Sequence, residues 1–310
     1  MNPQENVVPE SPFEPREIAP VTMSATQPLY WSVRREIWEN QSIYVAPLAV
    51  AGVILFGVLV AVINAHKHAA MGVPPVQEYI AIEVACFIAA FLLLLTALII
   101  GAFYCLDALH GERRDRSILF WKSLPVSDLT TVLSKASIPL IVLPLLTFAI
   151  IVVTQLFILL IGTIGLLMKG DSVAGLWVGF PLLGMPLELL YSLAALALWH
   201  APIYGWLLLV SSWARRTPLL WAVLPLLAIS IFEKIAFHTG YFAYLVQYRV
   251  TGVLTTAFGA QQHPGKLLGS SLLPIAPWKF LSTPDLWIGL AVAAAFFAAA
   301  IRLRRYREPL

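Results

Sequence analysis

Long stretches of this chain carry no charge, and that constrains its fold more than any motif. The 20 Lys and Arg and 17 Asp and Glu are strongly segregated. Nine lie in residues 1–44, nine in 106–135 and five in 300–310, and the other fourteen are spread over 225 residues. Between the clusters run apolar windows at 44–64, 80–106, 136–167, 186–213, 217–235 and 285–301. A membrane-crossing helix needs about 20 mostly apolar residues, and all six windows come close to or exceed that length. With 59% apolar and 12% charged residues, the chain departs from soluble domains, which run about 45–50% and roughly 25%. The expected fold is all-α: a polytopic membrane protein with six transmembrane helices.

Basic residues set the orientation. If the N-terminus faces the cytoplasm, 14 of the 20 Lys and Arg fall in cytoplasmic segments. They are Arg16, Arg34 and Arg35; then Arg113, Arg114, Arg116, Lys122 and Lys135; then Arg215 and Arg216; then Arg302, Arg304, Arg305 and Arg307. By the positive-inside rule both termini of this multi-pass protein are expected in the cytoplasm. Residues 1–28 hold six prolines and read as a disordered tail. That tail lacks the basic start and apolar core of a cleavable signal. Residues 29–310 form the six-span membrane domain. Within it, 29–41 reads either as an interfacial helix or as an extension of the first span. Trp31 and Trp38 share one face, with Arg34, Arg35, Glu36 and Glu39 on the polar side.

Several chemistries find no support. A net charge of +3 is too small, and too dispersed, for nucleic-acid binding. Cys86 and Cys105 fall on one expected helix, about 28 Å apart at 1.5 Å per residue, too far to form a disulfide. His66, His68, His110, His200, His238 and His263 show no metal or haem spacing. The run from Gly259 to Gly265 and Lys266 is one residue too long for a phosphate-binding loop, and Leu267 stands where Ser or Thr is needed. No catalytic site, cofactor or metal is expected in this chain. Ser270 and Ser271 lie in a loop, without the buried setting of an intramembrane protease.

The loop between spans two and three (107–135) carries the most information. Charged residues Glu112, Arg113, Arg114, Asp115 and Arg116 lead directly into Ser117, then Ile118, Leu119, Phe120 and Trp121, Lys122 and Leu124. Such an apolar patch outside the bilayer must be covered. One reading is a helix resting on lipid, and the other is a helix inserted in a partner's groove. Pro125 ends the helix and Ser127 suits the N-cap of the helix leading into span three.

The string GERRDRSILFWKSLPVSDLTTVLSK (111–135) resembles the first cytoplasmic loop of bacterial type 2 ATP-binding-cassette (ABC) exporter permeases. WHAPIYGWLLLVSSWARRTPLLWAVLP (199–225) is similar to the same family's fourth and fifth spans. The resemblance implies a transport subunit of the bacterial cytoplasmic (inner) membrane that pairs with a second permease, identical or related. It implies a separate cytoplasmic ATPase subunit holding ATP and Mg, docked on a coupling helix at 117–124. Glu112, Arg113, Arg114, Arg116, Ser117, Leu119, Phe120, Trp121, Lys122 and Leu124 then form the ATPase-coupling surface. It also implies that the outer loop 236–284 is an external or re-entrant lobe. An apolar cavity between two permeases would suit a hydrophobic or amphiphilic substrate. Glu83, Glu188, His200 and Tyr204 are candidates for its path, since polar groups in spans are expensive. Ala291, Ala295 and Ala299 offer a small-residue face for helix packing. The rival classes are an ion-coupled secondary transporter and a membrane-anchored enzyme subunit; neither finds its expected mid-membrane acids, repeats or cofactor ligands.

Overall fold

The computed structural model describes residues 27–67, 75–117, 126–179, 184–253 and 277–306, and regular structure within them is helical. The helices are α1 (Gln27–Glu39), α2 (Ser42–Lys67), α3 (Pro75–Ala108), α4 (His110–Arg114), α5 (Asp128–Ser137), α6 (Leu143–Lys169), α7 (Ala174–Gly179), α8 (Gly184–Trp213), α9 (Pro218–Phe237), α10 (Tyr241–Thr251), α11 (Pro277–Leu281) and α12 (Pro284–Tyr306). Six helical stretches are long and apolar enough to cross a membrane. These are α2, α3 running into α4, α5 running into α6, α8, α9 and α12, and each coincides with one of the six apolar windows.

The reason these windows become helices is that a helix satisfies its own backbone groups, the requirement hydrocarbon imposes. The same helices leave large side chains uncovered, among them Val53, Phe56, Phe91 and Phe232. Water does not tolerate apolar surface on that scale, whereas lipid covers it at no cost. The chain is a multi-pass membrane protein.

Helix ends follow local chemistry. The Ser127 hydroxyl accepts the Thr130 N–H at 3.1 Å, capping α5 as its sequence suggested. At the far end of that span Gly170 adopts φ 78°. Its N–H reaches the Leu167 carbonyl while the Asp171 N–H reaches Leu166, which closes the last turn. Between α5 and α6 the ladder widens into a π turn, Ile138–Val142. Pro139 supplies no N–H there and Pro144 none just beyond, so the tighter pattern cannot be completed.

α8 and α12 run side by side as the most extensive pair, and α6 packs against both α2 and α3. The close approach is made at Gly205, where an added Cβ would lie 3.2 Å from the Phe296 Cβ and 3.3 Å from the Ala293 carbonyl oxygen. The small-residue face of α12 differs from the expected one. Gly289, Ala293 and Ala300 are buried, whereas Ala291 and Ala295 are exposed. By contrast α9 stands apart, with Ala222 its one buried residue. The largest apolar cluster sits at the end of the bundle near α1 and α5, around Ile43, Cys105, Val132, Ile138, Leu143 and Leu208. It is the floor on which the candidate site is built.

Candidate functional site

A set of charged side chains lies buried beside that floor, at the two flanks of the 118–125 segment. Glu36 on α1 and Lys135 on α5 are 1% and 2% exposed. The Lys135 Nζ donates to the Glu36 Oε1 at 2.9 Å and lies 3.1 Å from the Glu112 Oε1. Glu36 also accepts from the Tyr104 hydroxyl at 2.8 Å and from the Arg35 Nη2 at 2.8 Å. Arg35 reaches Glu112 at 3.3 Å. From α12, the Arg304 Nη1 donates to the Glu112 Oε2 at 2.8 Å and its Nε donates to the Asp128 Oδ1 at 3.1 Å. Three cations thus face three carboxylates, and α1, α3, α4, α5 and α12 are joined through one network.

Burying such charges is costly unless each is paired and hydrogen-bonded, and then removing one partner leaves the other uncompensated. Here every carboxylate has at least one cation. Burial alone would push the Glu36 carboxyl up; the charges of Lys135 and Arg35 and the hydrogen bonds from Lys135 and Tyr104 outweigh it and hold the group below the ordinary carboxylate range. Glu36 is therefore an anion when the protein is folded at neutral pH.

The flank preceding 118–125 is held to α8 as well. The Ser211 hydroxyl accepts from the Leu109 and His110 N–H groups at 3.0 and 2.9 Å, supplying the cap that Leu109 has no side chain to make. Arg113 is 4% exposed, and its Nη1 donates to the Ser212 and Ala214 carbonyls at 2.8 and 3.3 Å. It thereby satisfies carbonyls that the end of α8 leaves free. Beyond it the chain turns sharply at Arg116, whose φ of 57° is unusual for a residue with a Cβ.

The residues expected to couple to an ATPase thus divide. Glu112 and Arg113 do not ring an external surface; they are engaged inside the chain. Arg114 is exposed and pairs with Asp115 at 3.0 Å. Arg116 and Ser117 lie at the edge of the segment, the Ser117 hydroxyl donating to the Glu112 carbonyl at 3.3 Å. Leu119, Phe120, Trp121, Lys122 and Leu124 lie outside the described residues, as do the proline-rich tail to residue 26 and positions 254–276 of the outer loop. The polar side expected for α1 also divides: Arg35 and Glu36 turn inward to the network, while Arg34 shares the face of the two tryptophans.

Of the residues proposed for a substrate path, Glu83 is exposed on α3 and Glu188 is half-buried near the start of α8. His200 is buried, its ring nitrogens 2.9 and 3.3 Å from the Leu196 and Val250 carbonyl oxygens. Tyr204 is buried against Gly101 and Leu143 at a narrow apolar pocket that Leu94, Pro139 and Leu193 also line. His200 therefore serves to hold α10 against α8. Trp199 does the same, donating to the Arg249 carbonyl at 2.9 Å with the Arg249 guanidinium 4.6 Å over its ring. Tyr248 donates to Asp285 at 2.9 Å, and the Glu233 carboxylate accepts the Tyr241 and Phe242 N–H groups at 2.8 Å each. Within the described part of the outer loop, α10 is thus fastened to α8, α9 and α12.

Glu36, Tyr104, Asp128, Lys135 and Arg304 were not singled out by the sequence as site residues. The one signal was that Lys135 borders an apolar window. Among the described residues no group of three His, Cys, Asp or Glu side chains converges to hold a metal ion.

The fold and site together define an α-helical multi-pass membrane protein with a charge-locked base. The chain matches no family model, no curated protein and no solved structure in the comparisons made with them.

Proposed function

We propose that this chain is the membrane-spanning subunit of an ATP-driven exporter of the type 2 ABC class. In this reading both termini face the cytoplasm, α1 lies at the membrane surface, and residues 117–124 form a coupling helix that docks on a separate ATPase subunit. The observation that carries the proposal is the way the two flanks of 118–125 are tied down. Glu112 and Asp128 stand on opposite sides of the segment, and one side chain from the last span, Arg304, holds both.

A loop that only rested on lipid would have no use for such anchorage. A loop that must transmit displacement does, because a push on it then reaches α1, α5 and α12 together. Nucleotide binding closes the ATPase dimer and carries the docked helices along. The spans then shift between inward- and outward-facing arrangements, biased by contacts that differ in the two states. Phe120, Trp121 and Leu124 supply apolar burial, worth a few kcal/mol if fully covered. Arg114 and Arg116 supply orientation. ATP and Mg belong to the ATPase, and a second copy or a related permease completes the cavity for a hydrophobic or amphiphilic substrate.

The test is copurification followed by reconstitution. A soluble ATPase is expected to copurify with the wild-type chain, and Phe120→Ala with Trp121→Ala is expected to release it or to uncouple hydrolysis from transport. Retained, fully coupled ATPase in the double variant would overturn the assignment, as would transport by the purified chain alone.

A further inference from the structure

The outward face of α1 carries an arrangement that coupling does not use. Trp31, Arg34 and Trp38 recur at spacings that put them on one side of the helix, opposite Glu36. The indoles are 59% and 70% exposed, and Tyr30 packs edge-on against Trp31 with ring centroids 5.5 Å apart. The Arg34 guanidinium carbon stands 5.3 Å from the Trp31 ring centroid and 5.2 Å from that of Trp38. The cation is clasped between two rings. No carboxylate of its own helix is left for it: Glu36 is held by Lys135, Arg35 and Tyr104, and Glu39 pairs with Arg35.

Two constraints identify what covers this face. α1 ends at Glu39 and α2 begins at Ser42, so the linker reaches only about 10 Å at roughly 3.4 Å per residue. A helix on so short a tether to a membrane span stays at the level where hydrocarbon meets water. Its inner side is already filled, with Val33 and Ile37 packed into the core and Glu36 in the charge network. Among the described residues nothing covers the aromatic side, which at that level faces the headgroup layer. Indole and phenol rings favour the headgroup layer, apolar body inward and polar edge wet. Stacking engages the flat faces of a guanidinium but leaves its in-plane N–H donors free, in the fork geometry that fits a phosphate.

We propose that Trp31, Arg34 and Trp38 form a phospholipid headgroup site, with the lipid phosphate accepting two hydrogen bonds from Arg34 between the two indoles. The site rests on the membrane-surface placement of α1 and not on the ATPase. A failure of one reading therefore leaves the other standing.

The probe is phosphatidylglycerol bound to the delipidated full-length chain in detergent, followed by native mass spectrometry. Arg34→Gln is expected to weaken the tightest lipid adduct at least tenfold. Arg34→Lys, which keeps the charge but lacks the fork, is expected to lose more than half of that affinity. Trp31→Ala with Trp38→Ala is expected to match Arg34→Gln. Wild-type lipid retention in Arg34→Gln would overturn the site, and so would full retention in Arg34→Lys, which would reduce it to charge alone. As a check independent of those variants, a spin label at Tyr30→Cys in phosphatidylglycerol vesicles should report a depth near the phosphates. A fully water-exposed label, or one shielded from both water-soluble and lipid-soluble relaxers, would overturn it. The second result would mean that a protein partner covers the face.

Discussion

Replacing Arg304 with Gln isolates the clamp across the 118–125 segment. Arg304 is the group that touches both Glu112 and Asp128, at 2.8 and 3.1 Å, and its side chain is 4% exposed. Removing one partner of a buried ion pair costs about 3–5 kcal/mol because the remaining charge is stranded. Here the loss falls at the lower end. Glu112 keeps Lys135 at 3.1 Å and Arg35 at 3.3 Å, and the Asp128 side chain is 28% exposed and reaches water. About 3 kcal/mol at roughly 2 °C per kcal/mol predicts a melting temperature lower by about 6 °C in detergent. Fluorescence-monitored melting of Arg304→Gln, Glu112→Gln and the double variant tests the pairing itself. On the Glu112→Gln background the Arg304 substitution should cost less by about 1.5 kcal/mol, since there is no longer a carboxylate to strand. Equal losses on both backgrounds would refute the clamp. Arg304→Lys should restore little, because one ammonium cannot bridge two carboxylates in the manner of a guanidinium fork.

Two further outcomes follow from the same geometry. The Glu36 carboxyl sits below the ordinary range when folded, so the unfolded chain binds the extra proton first. Its contribution is complete above the ordinary glutamate value of about 4.3 and is lost as pH falls below it. Acid titration of stability should therefore show a limb below about pH 4.3 that is shallower in Glu36→Gln, a variant already weakened at pH 7; an unchanged limb would exclude Glu36 from it. At Gly205, an added methyl meets Phe296 and the Ala293 carbonyl at 3.2–3.3 Å, so Gly205→Ala should cost about 1 kcal/mol and Gly205→Leu about 3 kcal/mol. A Leu variant that melts with wild type would mean that α8 and α12 separate freely.

The spans could be read from the chain because the signal is local: a window of apolar residues declares itself without reference to the rest of the fold. The cap at Ser127 is local in the same way. The charge cluster is not. Lys135 and Glu36 lie 99 positions apart, Arg304 and Glu112 lie 192 apart, and no sequence pattern links them. Lys135 and Arg304 also pass as topological charges at the ends of spans, which explains their presence without any partner. The packing side of α12 was misread for another reason. Its sequence from Ala291 to Ala299 is so rich in alanine that every face offers small residues. Ala293 was selected by Gly205 on the neighbouring helix, and Gly289 by Arg249 of α10. On α1, spacing placed the tryptophans together, but it could not say that Arg35 and Glu36 would be drawn into the protein.

The isolation of α9 has a mechanical consequence. At its base the Trp206 indole donates to the Ala222 carbonyl at 3.1 Å and Trp213 meets Trp221 edge to face; at its top Glu233 holds the first turn of α10. Between those two fixings the rod packs little against the other described residues, with Pro225 removing one rung of its ladder. Its tilt and bow are consequently the part of the bundle that the described residues constrain least. A rod pinned at both ends and free between them is where this bundle has room to flex.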